Sequence, residues 1–146
     1  MKSMENKVPK VFLDTNILID YLVFRGDEAM AAEYLFECSL NGAIDLHIAA
    51  HSLTNIFYIL RKDCSAEERQ QIVFNLCALC NVGSISSERI EKAVSSGYTA
   101  DLEDALQIQC AVDSGCDYFV TRDFEFFENS PVKTVLPHSL IQELSL

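Results

Sequence analysis

Basic residues are scarce in this 146-residue chain, where 11 Lys plus Arg stand against 22 Asp plus Glu for a formal net charge of −11. Generic nucleic-acid binding rests on a surplus of lysine and arginine, so that class is excluded. Glycine and proline are few, at five and three positions, and apolar residues make up 49% of the chain. Collagen-like, low-complexity and disordered classes are excluded by that balance. Long apolar runs are also missing. The opening MKSMENKVPK is polar and the run after it is broken by Asp14, Asn16 and Asp20, so neither a signal peptide nor a membrane span is read. The default expectation is a cytoplasmic protein without membrane contact. The six cysteines (Cys38, Cys64, Cys77, Cys80, Cys110, Cys116) follow no disulfide spacing. Cys77 and Cys80 form a single CxxC; with no second pair and no histidine partner it is a weak zinc signal, and within FNLCALC it reads as helical core. His47, His51 and His138 have no partner in the sequence pattern and are not taken as catalytic.

A chain of roughly 150 residues buries about 70% of its unfolded surface, enough for a sizeable core. No repeat or linker interrupts it, so residues 1–146 are read as one domain with 1–9 as a flexible tail. KVFL at Lys10 to Leu13 predicts a buried strand, followed by helices over Ile17 to Phe24 and Glu28 to Leu40, the second stopped by Asn41-Gly42. Asp45 to Ile48 predicts a strand. Leu53, Ile56, Phe57 and Leu60 mark an amphipathic helix over Ser52 to Lys62, and another helix covers Ala66 to Cys80. Further strands are predicted at Val82 to Ile85, Asp117 to Thr121 and Lys133 to Leu136, with helices at Ser87 to Ser95, Asp101 to Ser114 and Ser139 to Leu144. Short apolar strands alternating with helices predict a three-layer α/β/α sandwich around a central, mostly parallel sheet.

In such sheets ligands bind beyond the carboxyl ends of the strands. Asp14 follows KVFL and Asp123 follows YFVTR, so both are expected at that edge. Asp101 and Asp104, at i and i+3, share a face of the helix that follows. Each acid also has a plain structural explanation as a cap, a turn former or a complement to the helix dipole. Several carboxylates in one cleft repel by about 4 kcal/mol per pair at 4 Å and an effective dielectric near 20, so such a cluster takes up a proton or a cation. Oxygen ligands alone select Mg²⁺ or Mn²⁺, which points to phosphate chemistry.

VFLDTNILIDYL at 11–22, SLTNIFYILRK at 52–62 and DLEDALQIQCAVDSGCDYFVTRDFEFF at 101–127 resemble, in order and spacing, the signature blocks of the PIN domain family. Many members are small prokaryotic ribonucleases, including the VapC toxins of toxin-antitoxin pairs, with clustered acids that hold Mg²⁺ or Mn²⁺. The resemblance implies that Asp14, Asp104 and Asp123 are catalytic metal ligands, with Asp101 as an extra or water-mediated one and Asn16 and Thr121 supporting the site. Asn55 stands where the family usually has glutamate; its oxygen could coordinate a metal but its amide cannot act as a base. Arg25, Arg61, Lys62 and Arg122 are candidate contacts to the RNA backbone.

The resulting expectation is a ribonuclease using one or two Mg²⁺ or Mn²⁺ ions to cleave single-stranded or loop RNA. Its expected partners are the RNA, an antitoxin if the chain is a toxin, and a second copy in a homodimer through the helices at Glu28 to Leu40 and Ala66 to Cys80. The alternative is a degenerate PIN domain that binds RNA or protein without turnover, favoured by Asn55. Aspartyl-phosphate chemistry is disfavoured because no Asp-x-Asp pair follows the first strand and no lysine follows the last signature strand. Residues 101–128 hold eight acids against Arg122 alone and so supply −7 of the −11. The charge is concentrated where the cation is expected.

Overall fold

A computed structural model describes residues 7–146, the side chains of 125 and 126 excepted; residues 1–6 of the expected tail lie outside that range. Residues 7–9 have no regular structure, and the Pro9 carbonyl already accepts from the Asp45 N–H at 2.9 Å. Five short strands form one sheet: β1 (Lys10–Leu13), β2 (Asp45–Ala49), β3 (Asn81–Gly83), β4 (Tyr118–Val120) and β5 (Lys133–Val135). Their order is β3-β2-β1-β4-β5 and every pairing is parallel. The helices are α1 (Thr15–Val23), α2 (Ala29–Leu40), α3 (Ala50–Ile59), α4 (Ala66–Leu79), α5 (Ser87–Ser96), α6 (Leu102–Asp113) and α7 (Pro137–Glu143), with 3-10 turns at Leu60–Lys62 and Phe124–Phe127.

Period-2 alternation along the strands builds the three layers. Val11 and Leu13 of β1, Leu46 and Ile48 of β2, Val120 of β4 and Val135 of β5 face one core with Ile17, Leu35, Ile56, Leu76 and Leu140 from the helices. Phe12 and Phe119 face the other way, onto Ile108 and Ala111 of α6 and onto Phe127. The rings of Phe12 and Phe119 stack at 5.1 Å, and Phe119 meets Phe127 at 4.6 Å. Among the described residues no helix is long and apolar enough to cross a membrane.

The sequence-based boundaries shift where a cap or a proline decides the start. α1 begins at Thr15 because Asp14 takes extended angles (φ −64°, ψ 150°) immediately before it. α3 begins at Ala50, two residues earlier than expected, because β2 runs straight into it. α7 opens on Pro137, which lacks the N–H that a first helical residue leaves unpaired, instead of on Ser139. β3 is shorter and earlier than Val82 to Ile85, and the expected helix through Lys62 tightens into a 3-10 turn from Leu60. α4 starts where Ser65 and Glu68 close a reciprocal capping box. The stops at Gly42 and Gly97 hold left-handed φ of 81° and 73°.

The CxxC divides: Cys80 is buried in the core, as expected, but Cys77 is exposed on α4. All six cysteines are free thiols. Burial pushes the Cys80 thiol up to about 12, helped by its neighbour Cys77.

Because Phe119 joins Phe12 to Phe127, Phe119→Ala is expected to destabilise the fold by about 3 to 5 kcal/mol in urea unfolding. A loss below about 1 kcal/mol would show that this aromatic layer is not part of the core.

Candidate functional site

The strand order creates a crevice. From β1 the chain crosses to β2 on one side, and β4 lies on the other, so the carboxyl ends of β1 and β4 diverge into the switch point where open α/β sheets bind ligands. Asp14 directly follows β1, and Thr121, Arg122 and Asp123 follow β4. The ladder continues one step further, since the Asp14 N–H donates to the Val120 carbonyl at 3.0 Å.

Asp14 does not cap α1 with its side chain. Its carboxylate, 4% exposed, instead accepts from Thr121 Oγ1 at 2.7 Å and from Gln107 Nε2 at 3.0 Å. Gln107 Oε1 in turn accepts the Thr15 N–H at 3.0 Å, and Thr15 Oγ1 meets Ser52 Oγ at 2.6 Å. Burial raises the pKa of Asp14 and the charge of Asp123 adds to it, while the bonds from Thr121 and Gln107 pull the other way.

Asn16 donates from Nδ2 to Asp123 Oδ2 at 2.7 Å, and Thr121 Oγ1 also accepts the Asp123 N–H at 3.0 Å. The Asn16 Oδ1 atom is buried without a hydrogen-bond partner. Asp104, in the first turn of α6, has its carboxyl pushed up to about 7 by partial burial and by the charges of Asp14, Asp101, Asp123 and Glu103. Asp101 is spent as the α6 cap, with its Oδ1 accepting the Asp104 N–H at 3.0 Å.

Asn55 turns its amide to Glu103 Oε2 at 2.9 Å rather than to Asp14, Asp104 or Asp123. Arg25 and Arg122 converge on Asp20, a buried charge in α1: Arg25 Nε donates to Oδ1 at 2.9 Å and Arg122 Nε to Oδ2 at 2.5 Å. Their side chains stay 56% and 38% exposed along a cleft of about 690 Å³ that Asp27, Glu28 and Leu136 also line. Arg61 and Lys62 sit in the turn after α3, about 15 Å along the helix from His51, so they are not gathered with the carboxylates. Arg61 instead lies over the Tyr58 ring at 3.8 Å. His138 Nδ1 pairs with Glu28 Oε2 at 2.6 Å, and burial lowers the pKa of His47.

Four polar residues of this network escaped the sequence reading: Gln107, Ser52, Asp20 and Glu103. The available signal was a polar or charged residue inside an apolar helical run, as Asp20 is in ILIDYLV and Gln107 in ALQIQCA.

Among the described residues no three His, Cys, Asp or Glu side chains stand close enough to grip one ion directly. The donor set still fits Mg²⁺ or Mn²⁺, because Mg²⁺ keeps several waters and takes only one or two carboxylates directly. The unpartnered Asn16 oxygen and the raised Asp104 carboxyl are the groups a hard cation would satisfy.

A family model described as PIN domain matches residues 10–125. A relative named Ribonuclease VapC1, from Aquifex aeolicus, is 26% identical over 121 residues, covering 81% of this chain and 84% of its own. A toxin-antitoxin complex from Klebsiella pneumoniae contains a chain that superposes with a TM-score of 0.65 at 23% identity, over 87% of this chain and 97% of that one. VapC20 from Mycobacterium tuberculosis, described as a sarcin-ricin loop cleaving toxin, superposes at 0.61 with 13% identity, over 80% of this chain and 92% of its own. At these identities the two structures show a shared fold.

The raised Asp104 carboxyl sets a pH dependence in the metal-stripped protein. With a folded pKa of about 7 against an ordinary 3.8, the unfolded chain releases this proton first, so the contribution is stabilising at low pH and is lost as pH rises from about 4 to about 7. Asp104→Asn removes that loss. Thermal melts at pH 5 and pH 8 are therefore expected to shift in favour of Asp104→Asn by a few degrees at the higher pH, and an unchanged difference between the two proteins would contradict it.

Proposed function

The chain belongs to the PIN domain family, and on that premise we propose that it is a divalent-metal-dependent endoribonuclease, the toxin of a toxin-antitoxin pair. The observation that carries this reading is the convergence of Asp14 and Asp123 beyond the carboxyl ends of β1 and β4, with the Asp104 carboxyl raised first by burial and then by the charges of Asp14, Asp101 and Asp123. Such mutual repulsion is relieved by a cation, and oxygen donors select a hard one.

In this reading Asp14, Asp104 and Asp123 would hold Mg²⁺ or Mn²⁺, one or two of them directly and the rest through its waters. When bound, the ion lowers the pKa of a coordinated water and offsets charge developing on the scissile phosphate. Thr121 and Gln107 fix the Asp14 carboxylate so that both its oxygens keep one orientation, and Asn16 does the same for Asp123. Asp101 orders the first turn of α6 and with it Asp104. The exposed faces of Arg25 and Arg122, braced from below by Asp20, contact phosphates flanking the cleavage point. Arg61 and Lys62, further out, act on more distant backbone. Cleavage leaves a 5′-phosphate and a 3′-hydroxyl, on single-stranded or loop RNA whose backbone can enter an open crevice.

The ribonuclease name of one relative and the toxin-antitoxin description of a structural neighbour support the pairing with an antitoxin. An apolar groove of about 290 Å³ between α1 and α4, lined by Tyr21, Leu22, Ile72, Leu76 and Leu79, offers such a partner a surface. Exposed Met30 and Leu40 of α2 and Phe74 of α4 suit a homodimer contact. In this reading the protein acts as one domain, in the cytoplasm.

The second reading is a PIN domain that binds RNA or protein without turnover. It is favoured by the placement of Asn55 on Glu103 and by the spread of the acids among the described residues.

Cleavage of short RNAs in Mn²⁺ is expected to fall about 100-fold or more in Asp14→Asn and Asp104→Asn, and to stop in EDTA. Activity that survives both substitutions and the chelator would overturn the enzyme reading. Arg122→Gln is expected to raise KM more than it lowers kcat, and to reduce the salt slope of RNA binding by about one ion. An unchanged KM and slope would remove Arg122 from the RNA path.

A further inference from the structure

Of the three histidines, two are spent inside the fold: the His47 Nε2 atom is buried, and His51 Nε2 meets the Glu103 carbonyl at 3.0 Å. His138 is different. Its Nδ1 lies 2.6 Å from Glu28 Oε2 and its backbone N–H donates to Glu28 Oε1 at 2.9 Å, so both oxygens of one carboxylate hold one residue. Glu28 is the buried partner, with 11% of its side chain exposed, and His138 the exposed one at 53%. A tie between the start of α2 and α7 needs only the backbone N–H, which any residue but proline supplies at position 138. The imidazole adds a ring held in one orientation, with its second nitrogen on the far side from Glu28.

The strand ladder places that ring. β4 and β5 are parallel neighbours, with Val120 beside Val135 and the Thr121 N–H donating to the Val135 carbonyl at 3.0 Å. Arg122 and His138 therefore follow adjacent strand ends, on the carboxyl edge that also carries Asp14 and Asp123. Glu28 and Leu136 line the same cleft as Arg25 and Arg122. His138, bonded to the first and two residues past the second, stands on the rim of that cleft.

A carboxylate only accepts, so Nδ1 carries a proton and Nε2 follows the charge of the ring, bare when the ring is neutral and an N–H when it is protonated. A phosphate oxygen accepts only, and so matches Nε2 in one of these states. A hydroxyl both donates and accepts, and matches it in both. The walls of the cleft favour a neutral group as well, because Asp20, Asp27 and Glu28 stand there against Arg25 and Arg122. In an RNA strand the hydroxyl beside each phosphate is the ribose 2′-OH, the group that separates RNA from DNA at a given site.

We propose that His138 Nε2 binds a ribose 2′-hydroxyl of the strand whose phosphates Arg25 and Arg122 contact, so that His138 is a residue by which the protein prefers RNA to DNA. Glu28 holds the ring for that contact. This inference rests on the RNA-directed reading above and assigns to it the group that recognises the sugar.

The test is fluorescence anisotropy with a labelled oligouridylate and the 2′-deoxy strand of the same bases, titrated with the full chain in EDTA and again in Ca²⁺, the strands being checked intact on a gel. It needs no turnover. The wild type is expected to bind the RNA about fivefold tighter than the DNA, the worth of one hydrogen bond. His138→Asn keeps a donor for Glu28 but has nothing at the position of Nε2, and is expected to bind both strands alike, with its RNA affinity lowered about fivefold and its DNA affinity unchanged. His138→Gln, whose amide extends to that position, is expected to retain a preference of about twofold. The unchanged DNA affinity also shows that each variant folds and keeps its arginine contacts. A preference for RNA that persists in His138→Asn overturns the inference, and so does an equal loss on both strands, which would put His138 on the phosphate. A wild type that binds the two strands alike overturns it as well. If the wild type cleaves RNA in Mn²⁺ while His138→Asn leaves the preference unchanged, the inference alone falls. If the wild type binds neither strand in either medium, the RNA-directed reading falls and takes the inference with it.

Discussion

Asp14 places a carboxylate at 4% exposure in the crevice between β1 and β4, and the surrounding elements are arranged by what that burial requires. A buried charge is tolerated only when its oxygens are paired. One oxygen is met by Thr121 from the end of β4 and the other by Gln107 from the second turn of α6. Gln107 can donate there only because its own oxygen is occupied by the Thr15 N–H, and Thr15 is in turn locked to Ser52 at the start of α3. One carboxylate thus fixes the relative positions of β1, β4, α1, α3 and α6. These are also the elements that carry Asn16, Asn55, Asp104 and Asp123.

The same rigidity has a functional consequence. Asp14 and Asp123 are each held by neutral donors, Thr121 and Gln107 for the first and Asn16 for the second, and among the described residues not by a lysine or arginine. The arginines of this region are committed elsewhere, to Asp20, one turn and more down α1. Acids thus gather at the switch point, while the neighbouring cleft carries the Arg25 and Arg122 guanidinium groups beside Asp20, Asp27 and Glu28. On the proposed reading, the acidity of residues 101–128 is the part that a bound cation would offset before an RNA approached.

The layered fold was legible in the residues because its cause is local. Val11, Phe12 and Leu13 form a strand that is apolar on both faces, and such strands occur where helices cover both sides. The stripe Leu53, Ile56 and Leu60 was equally readable and is buried as its period requires. Asp14 and Asp123 could be assigned to one edge because each follows the last apolar residue of a strand. Strand order could not be read, since the choice of β4 rather than β3 as the second neighbour of β1 depends on packing between distant segments. Gln107, Asp20 and Glu103 stayed hidden for the same reason: their partners lie 93, 102 and 48 positions away in sequence. Asp101 illustrates the opposite case, where the plain explanation as a helix cap is what its side chain does. Arg61 and Lys62 were chosen for their charge, and only the path of α3 shows how far they lie from the acids.

The central claim is that the acids at the β1 and β4 switch point form a cation site built on Asp14. Anomalous diffraction from a crystal soaked in Mn²⁺ addresses it without reference to any substrate. The account predicts a peak in the crevice among Asp14, Asp104 and Asp123, which disappears in Asp14→Asn crystals treated in the same way. A soaked wild-type crystal with no peak in that crevice, or with a peak that persists when Asp14 is replaced, would contradict it.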